Sequence, residues 1–254
     1  MYASPLSSHI AGAKMRNPHG HSRLINWLGV LAWMCFVVVP SSVLLIRVGM
    51  DVSYGLPAFA LGCLLALIIT IILTAVSFRR RYQDHRGAII RNGLPAVPPA
   101  LLLVGVMLVG LGYPPIHDIT TNTDDPPLFD AAEALRGRKA NPVDIKPEAI
   151  AIQREHYTNL HTIHTSLGQE AAFQKANDVA ESLEWLVYNS DPRKGIMEAS
   201  YTSFWFGFVD DVVIRVRPGQ QGTEIDLRSV SRVGKSDLGA NAKRIRIFAE
   251  TFEQ

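Results

Sequence analysis

Cysteine and charge are both scarce in this sequence. Only Cys35 and Cys63 occur among 254 residues, and both sit inside apolar runs. The carboxy-terminal half therefore has no thiol for a disulfide, a zinc site or nucleophilic catalysis. The residues before Cys35 (Ala32, Trp33, Met34) lack the small-residue pattern of a lipid-attachment site, and apolar residues continue beyond it. Charged residues make up 19% of the chain and the net charge is +2. Proteins that bind nucleic acid usually concentrate a basic stripe that releases counterions, so nucleic acid is not expected as a partner.

What the sequence has instead is apolar length. Leu24–Ile46, Leu56–Phe78 and Leu94–Gly112 each approach the ~20 residues that a helix needs to cross a hydrocarbon layer. None carries an ionisable residue in its apolar core, which argues against an ion or proton pathway. The first block is too long for a secretory signal core and has no small-x-small cleavage site, so it is expected to remain as an anchor. Pro95, Pro98 and Pro99 should delay or kink the third helix.

Basic residues set the expected orientation. Lys14, Arg16 and Arg23 precede the first block, Arg47 alone follows it, and Arg79, Arg80, Arg81, Arg86 and Arg91 fill the next loop. This asymmetry predicts a cytoplasmic amino terminus and, after three crossings, a carboxy-terminal domain on the outer side. Trp27, Tyr54 and Tyr113 near the block ends fit an interfacial aromatic belt. The expected organisation is a cytoplasmic tail over 1–23, a three-helix anchor over 24–112, an extended linker over 113–147 and a soluble domain over 148–254.

The linker is rich in Pro, Asp, Thr and Asn, and only one short helix is predicted, near Asp130 to Arg136. His117, Asp118 and Asp124 are its metal candidates, since imidazole and carboxylate suit several divalent ions; ordinary turn chemistry explains the same residues. His161 and His164, with His156 upstream, form an H-x-x-H pair. Beta-leaning neighbours put that pair on a strand, where positions i and i+3 point to opposite faces.

Ser166 followed by Gln169 reads as a helix cap with its box partner. The helix after it, Leu167 to Glu184, carries Ala172, Phe173, Ala176, Val179, Ala180 and Leu183 along one stripe, as a helix packed on a sheet would. Four strands should follow, at Trp185–Asn189, Ile196–Phe206, Asp211–Arg217 and Thr223–Val230, with short connections that imply antiparallel pairing. Phe204, Phe206 and Phe208 are expected along one side of the second strand, with Trp205 on the other. Gly207, Asp210 and Asp211 are expected at its hairpin turn. The aspartate pair is a poor acid and base pair, because adjacent residues diverge on a strand.

The last segment contains "SVSRVGKS", one glycine short of a phosphate-binding loop, with Ser229 where the first glycine belongs. Parallel strands and a magnesium carboxylate are missing. What remains is a helix capped by Ser236 or Asp237, with Leu238, Ala242, Ile245 and Phe248 facing the sheet. A basic rim of Arg228, Arg232, Lys235 and Arg244 lies nearby, where an anion would be stabilised. The candidate ligand-binding set is Arg228, Ser229, Arg232, Lys235, Ser236, Asp237 and Asn241, with Trp205 lining an apolar pocket.

"YPPIHDITTNTDDPP" (Tyr113–Pro127), "TSFWFGFVDDVVIRVRP" (Thr202–Pro218) and "DLRSVSRVGKSDLGANAKRIR" (Asp226–Arg246) resemble the hallmark segments of the bacterial domain-of-unknown-function family 1499. The resemblance implies a bacterial envelope protein, so the membrane expected is the inner membrane and the outer side the periplasm; it brings no activity, cofactor or catalytic residue. The fold expected is α+β: three transmembrane helices, then a small domain with an antiparallel sheet covered by two helices. The function expected is a non-enzymatic module that binds an envelope small molecule, lipid or protein from its place in the lipid bilayer, with no cofactor. The alternative is a metal-dependent hydrolase built on His117, Asp118 and Asp124, which requires those side chains to converge.

Overall fold

In the computed structural model, residues 18–220 and 222–254 are described, with side chains from Arg23 onward. Lys14 and Arg16, used in the orientation argument, lie outside the described residues. The chain forms two compact units. One runs to Ser42 and resumes over Leu56–Leu103; the other joins Val43–Gly55 to Val104–Gln254.

The amino-terminal helices are α1 (Pro18–Arg47), α2 (Val52–Ser77), α3 (Arg86–Gly93) and α4 (Val97–Gly110), with 3-10 turns at Arg80–His85 and Leu94–Ala96. Among the described residues, three helical stretches are long and apolar enough to cross a membrane: Arg23–Arg47, Val52–Ser77 and Arg80–Gly110. The third begins well before the expected Leu94, because the arginine-rich loop is itself helical. Its prolines fall where helices tolerate them: Pro95 lies in a 3-10 turn, and Pro98 and Pro99 lie in the first turn of α4, where backbone N–H groups have no helical partner anyway. Small buried residues, Ala32, Cys35, Ala66 and Ala96, pack this unit with Ile25 and Ile69, as close helix approach in lipid favours. Asn92 Nδ2 donates to Asn26 Oδ1 at 3.2 Å. Gly29 makes room for Asn92, since a Cβ at Gly29 would lie 2.8 Å from that of Asn92.

The carboxy-terminal domain is α+β. Its strands are β1 (Asp118–Thr120), β2 (Ile163–Thr165), β3 (Leu186–Asp191), β4 (Ile196–Thr202), β5 (Val209–Gly219) and β6 (Gly222–Ser231). The sheet order is β1-β6-β5-β4-β3, with β2 also on β6, and every pair is antiparallel. Helices α5 (Ala132–Leu135), α6 (Pro147–His156), α7 (Gln169–Ser182) and α8 (Ala240–Glu253) complete it.

Strand alternation gives the sheet two distinct faces. On one, Met197, Ala199, Val212, Ile214, Val216, Ile225 and Leu227 are buried against Ala172, Phe173 and Ala176 of α7 and Ala242, Ile245 and Phe248 of α8. Trp185 stacks on Phe248 with ring centroids 5.4 Å apart. The other face carries Glu198, Asp211, Asp226 and Arg228, and they are buried too. Their cover is the segment read from sequence as a linker, which supplies β1 and α5 and crosses this face as irregular chain.

The structure corrects several local expectations. The cap of α7 is Gly168 rather than Ser166, and Gln169 instead donates from Nε2 to the Val216 carbonyl at 3.3 Å. β4 stops at Thr202, so the phenylalanines do not share one side of a strand. Ser203 closes the turn instead: its N–H donates to Phe208 O at 2.7 Å, its Oγ accepts from Phe208 N at 2.9 Å, and Gly207 takes φ 65°. Asp210 and Asp211 therefore lie in β5, buried, rather than in the turn. Leu238 takes φ 52° ahead of α8 and is exposed rather than facing the sheet.

The turn at "SDPRKG" does form. Asp191 Oδ1 accepts from Arg193 N and Lys194 N. Gly195 follows at φ 67°, where a Cβ would meet the Val216 carbonyl oxygen at 2.0 Å.

Candidate functional site

The loop-covered face places three carboxylates among arginines and a fourth, Glu198, among backbone N–H groups. Asp211, fully buried, accepts from Arg232 at 2.9 and 2.7 Å and from Tyr188 Oη at 3.3 Å, and it faces Arg136 Nε at 3.3 Å. Burial, then the neighbouring Asp211 and Glu198, pushes the Tyr188 phenol far above its usual range. Burial lowers the Arg136 guanidinium and Asp211 opposes that shift; hydrogen bonding to Asp211 raises Arg232. Asp226 accepts from Arg215 Nη2 at 2.7 Å, Arg217 Nε at 3.2 Å and Thr162 Oγ1 at 2.6 Å. Arg228 holds Asp118 through two bonds of 2.9 and 2.7 Å, donates to the carbonyls of Val143 and Pro127, and lies over the Phe129 ring. Glu198 accepts the backbone N–H groups of Asp130, Ala131 and Ala132.

The candidate ligand-binding residues do not gather around one opening. Arg228 and Arg232 belong to the loop-covered face and are committed to Asp118 and Asp211. Ser229 and Asn241 belong to the helix side, where Ser229 Oγ lies 2.6 Å from Asn241 Oδ1. Arg244 joins Ser229 at 2.8 Å to Asp210 at 2.6 Å, and Asn241 Nδ2 donates to the His117 carbonyl at 2.9 Å. Asp237 itself occupies the expected anion position. Its oxygens accept from Gly239 N at 2.9 Å and Asn241 N at 2.8 Å, while burial raises its pKa against those bonds. Ser236 Oγ donates to Pro114 O at 3.2 Å, Lys235 is exposed, and Trp205 stands in the β4–β5 turn, exposed rather than lining a pocket.

The metal candidates do not converge either. Asp118 is held by Arg228, and Asp124 lies 2.5 Å from Arg154. Among the described residues, no group of three or more His, Cys, Asp and Glu side chains could hold a metal ion.

A site that the sequence reading passed over is an open groove of about 570 Å³ between the 121–124 loop, α6 and the approach to β2. It is lined by Thr121, Asn122, Thr123, Asp124, Gln153, Arg154, Tyr157, Thr158, Leu160, His161, Thr162 and His164. Gln153 is fixed by bonds with the backbone N–H and carbonyl of Thr120 at 3.0 and 2.6 Å. β2 begins at Ile163, so His161 precedes the strand that carries His164, and both residues are among those that line this groove. The H-x-x-H pair was the available signal.

Residues 118–252 match the family described as a protein of unknown function (DUF1499). The chain belongs to the DUF1499 family. The matched DUF1499 segment starts at the first residue of β1 and ends within α8, so it takes in the covering segment as well as the sheet. No curated protein matches the chain.

Proposed function

We propose that this DUF1499 protein is held in a bacterial inner membrane by its three apolar helices, displays the α+β domain on the periplasmic side, and acts as a non-enzymatic binding module. The observation that carries this reading is the engagement of the domain's buried carboxylates. Glu198, Asp210, Asp211 and Asp226 are each held by arginines or backbone N–H groups, so none is poised as a base or nucleophile. What stays open is the groove, whose lining of hydroxyls, two amides, two imidazoles and the Asp124–Arg154 pair suits a polar small molecule or the polar part of a lipid.

Two measurements test it. A phosphatase fused after Gln254 should be active and a fluorescent protein fused there dark; the reverse pattern overturns the placement. Native mass spectrometry of the full chain released from lipid nanodiscs should show a bound polar molecule whose occupancy falls when Thr158→Trp fills the groove. Occupancy unaffected by Thr158→Trp, or turnover of that molecule, overturns the binding role.

A further inference from the structure

The turn between β4 and β5 leaves two large aromatics in the open. Phe204 and Trp205 are 75% and 72% exposed, edge to face with centroids 5.6 Å apart, while Phe206 and Phe208 stack behind them at 5.0 Å. Leu186, paired with Ser200 near the same end of the sheet, is 70% exposed. Aromatic side chains carry a large apolar surface, and a cluster of this kind on one protrusion marks a contact with something apolar.

The compact unit that holds this turn also holds Val43–Gly55, where the first apolar stretch ends and the second begins. The Arg47 guanidinium, on the last residue of α1, lies 5.7 Å from the centroid of the Phe204 ring. A Cβ on Gly207 would lie 3.8 Å from Arg47 Cγ. Lys139 Nζ reaches Asp51, just ahead of α2, at 2.5 Å. The turn thus sits beside the last residue of α1. β1 begins and β6 ends at this same end of the sheet, since Asp118 pairs with Val230 and Asp210 with Ser231. The β5–β6 turn lies at the other end, roughly 30 Å away along the ten residues of β6.

We propose that the β4–β5 turn is a membrane-interface anchor: Phe204 and Trp205 insert at the boundary between headgroups and acyl chains of the leaflet that borders this domain. Trp and Phe favour that depth because an apolar body meets lipid while polar edges meet water. Arg47 extends its charged end toward the headgroups beside them. The domain is then fixed at two points, the end of α4 and the turn, and its β5–β6 end points away from the bilayer. The inference does not rest on which side of the membrane the domain occupies, so a failed reporter fusion leaves it standing.

The test uses the full chain in lipid vesicles with Trp27→Phe and Trp33→Phe, leaving Trp205 and the buried Trp185. The Trp205 signal is the difference between this protein and the same protein with Trp205→Phe. Lipids brominated near the headgroup should remove about half of that signal, more than lipids brominated at the bilayer centre, and aqueous iodide should have little effect. Quenching by iodide with none by brominated lipid overturns the proposal. Protection from both, together with cross-linking between chains at Phe204→Cys, also overturns it and identifies a second copy as the occupant.

Discussion

The two faces of one sheet are buried by different chemistry. Under α7 and α8, which satisfy their own backbones, the sheet presents Val212, Ile214, Val216 and Leu227. Under the irregular 118–147 chain it presents Glu198, Asp211, Asp226 and Arg228. The cover explains the difference. Irregular chain has N–H and C=O groups with no partner of their own, and here sheet side chains provide them. Glu198 takes three N–H groups, Arg228 gives to the carbonyls of Pro127 and Val143, and Arg215 to that of Asp125. A face of valines would leave those groups buried and unmet.

The comparison breaks most visibly at Arg228. Arg228→Met should cost about 3–5 kcal/mol in a urea titration, because it strands Asp118 and two carbonyls. Adding Asp118→Leu sharpens the point. If the charges merely substitute for apolar packing, stability returns fully; if they serve the cover's backbone, a deficit of about 1–3 kcal/mol remains. Glu198→Gln should lose about 1–3 kcal/mol and speed amide exchange at Asp130 to Ala132 while leaving β5 protected. On the helix side, Ile214→Val should cost only about 0.5–1.5 kcal/mol, with no effect on exchange in the cover.

The smallest effect concerns Tyr157, whose phenol is pushed up to about 12 by burial and then by Asp237, against about 10 in an unfolded chain. The folded state keeps its proton longer, so this contribution is complete below pH ~10 and is lost as the pH rises toward about 12. Tyr157→Phe should flatten stability over that interval; an unchanged slope would assign it to another group.

Length and period carried much of this fold. Apolar blocks of bilayer length marked the three helices, and alternation such as Val212, Ile214, Val216 marked β5 with its helix-side face. The same alternation made the opposite face look partly wet, because Arg215 and Arg217 read as surface charges. Nothing local announces that Asp118 will meet Arg228, separated by 110 positions, or that a proline-rich stretch will lie over a sheet. The candidate residues do not gather at one opening for the same reason. Ser229 and Asn241 look like ligand groups when their partners are not in sequence reach, and the structure gives those partners from the chain itself. The start of α8 was legible only to within a few residues: its cap is Gly239 rather than Ser236 or Asp237, although Asp237 does accept from Asn241 N just inside the helix.

Glu198 also fixes an order of events. The segment around Asp130 precedes β4, β5 and β6 in chain order, yet its amides are met only by a carboxylate that arrives later. This stretch must wait, solvated, until the strands behind it have paired. Pulse-labelled exchange during refolding should record protection of Ala131 and Ala132 after that of Val213 and Ile214; simultaneous protection would place the two in one cooperative step.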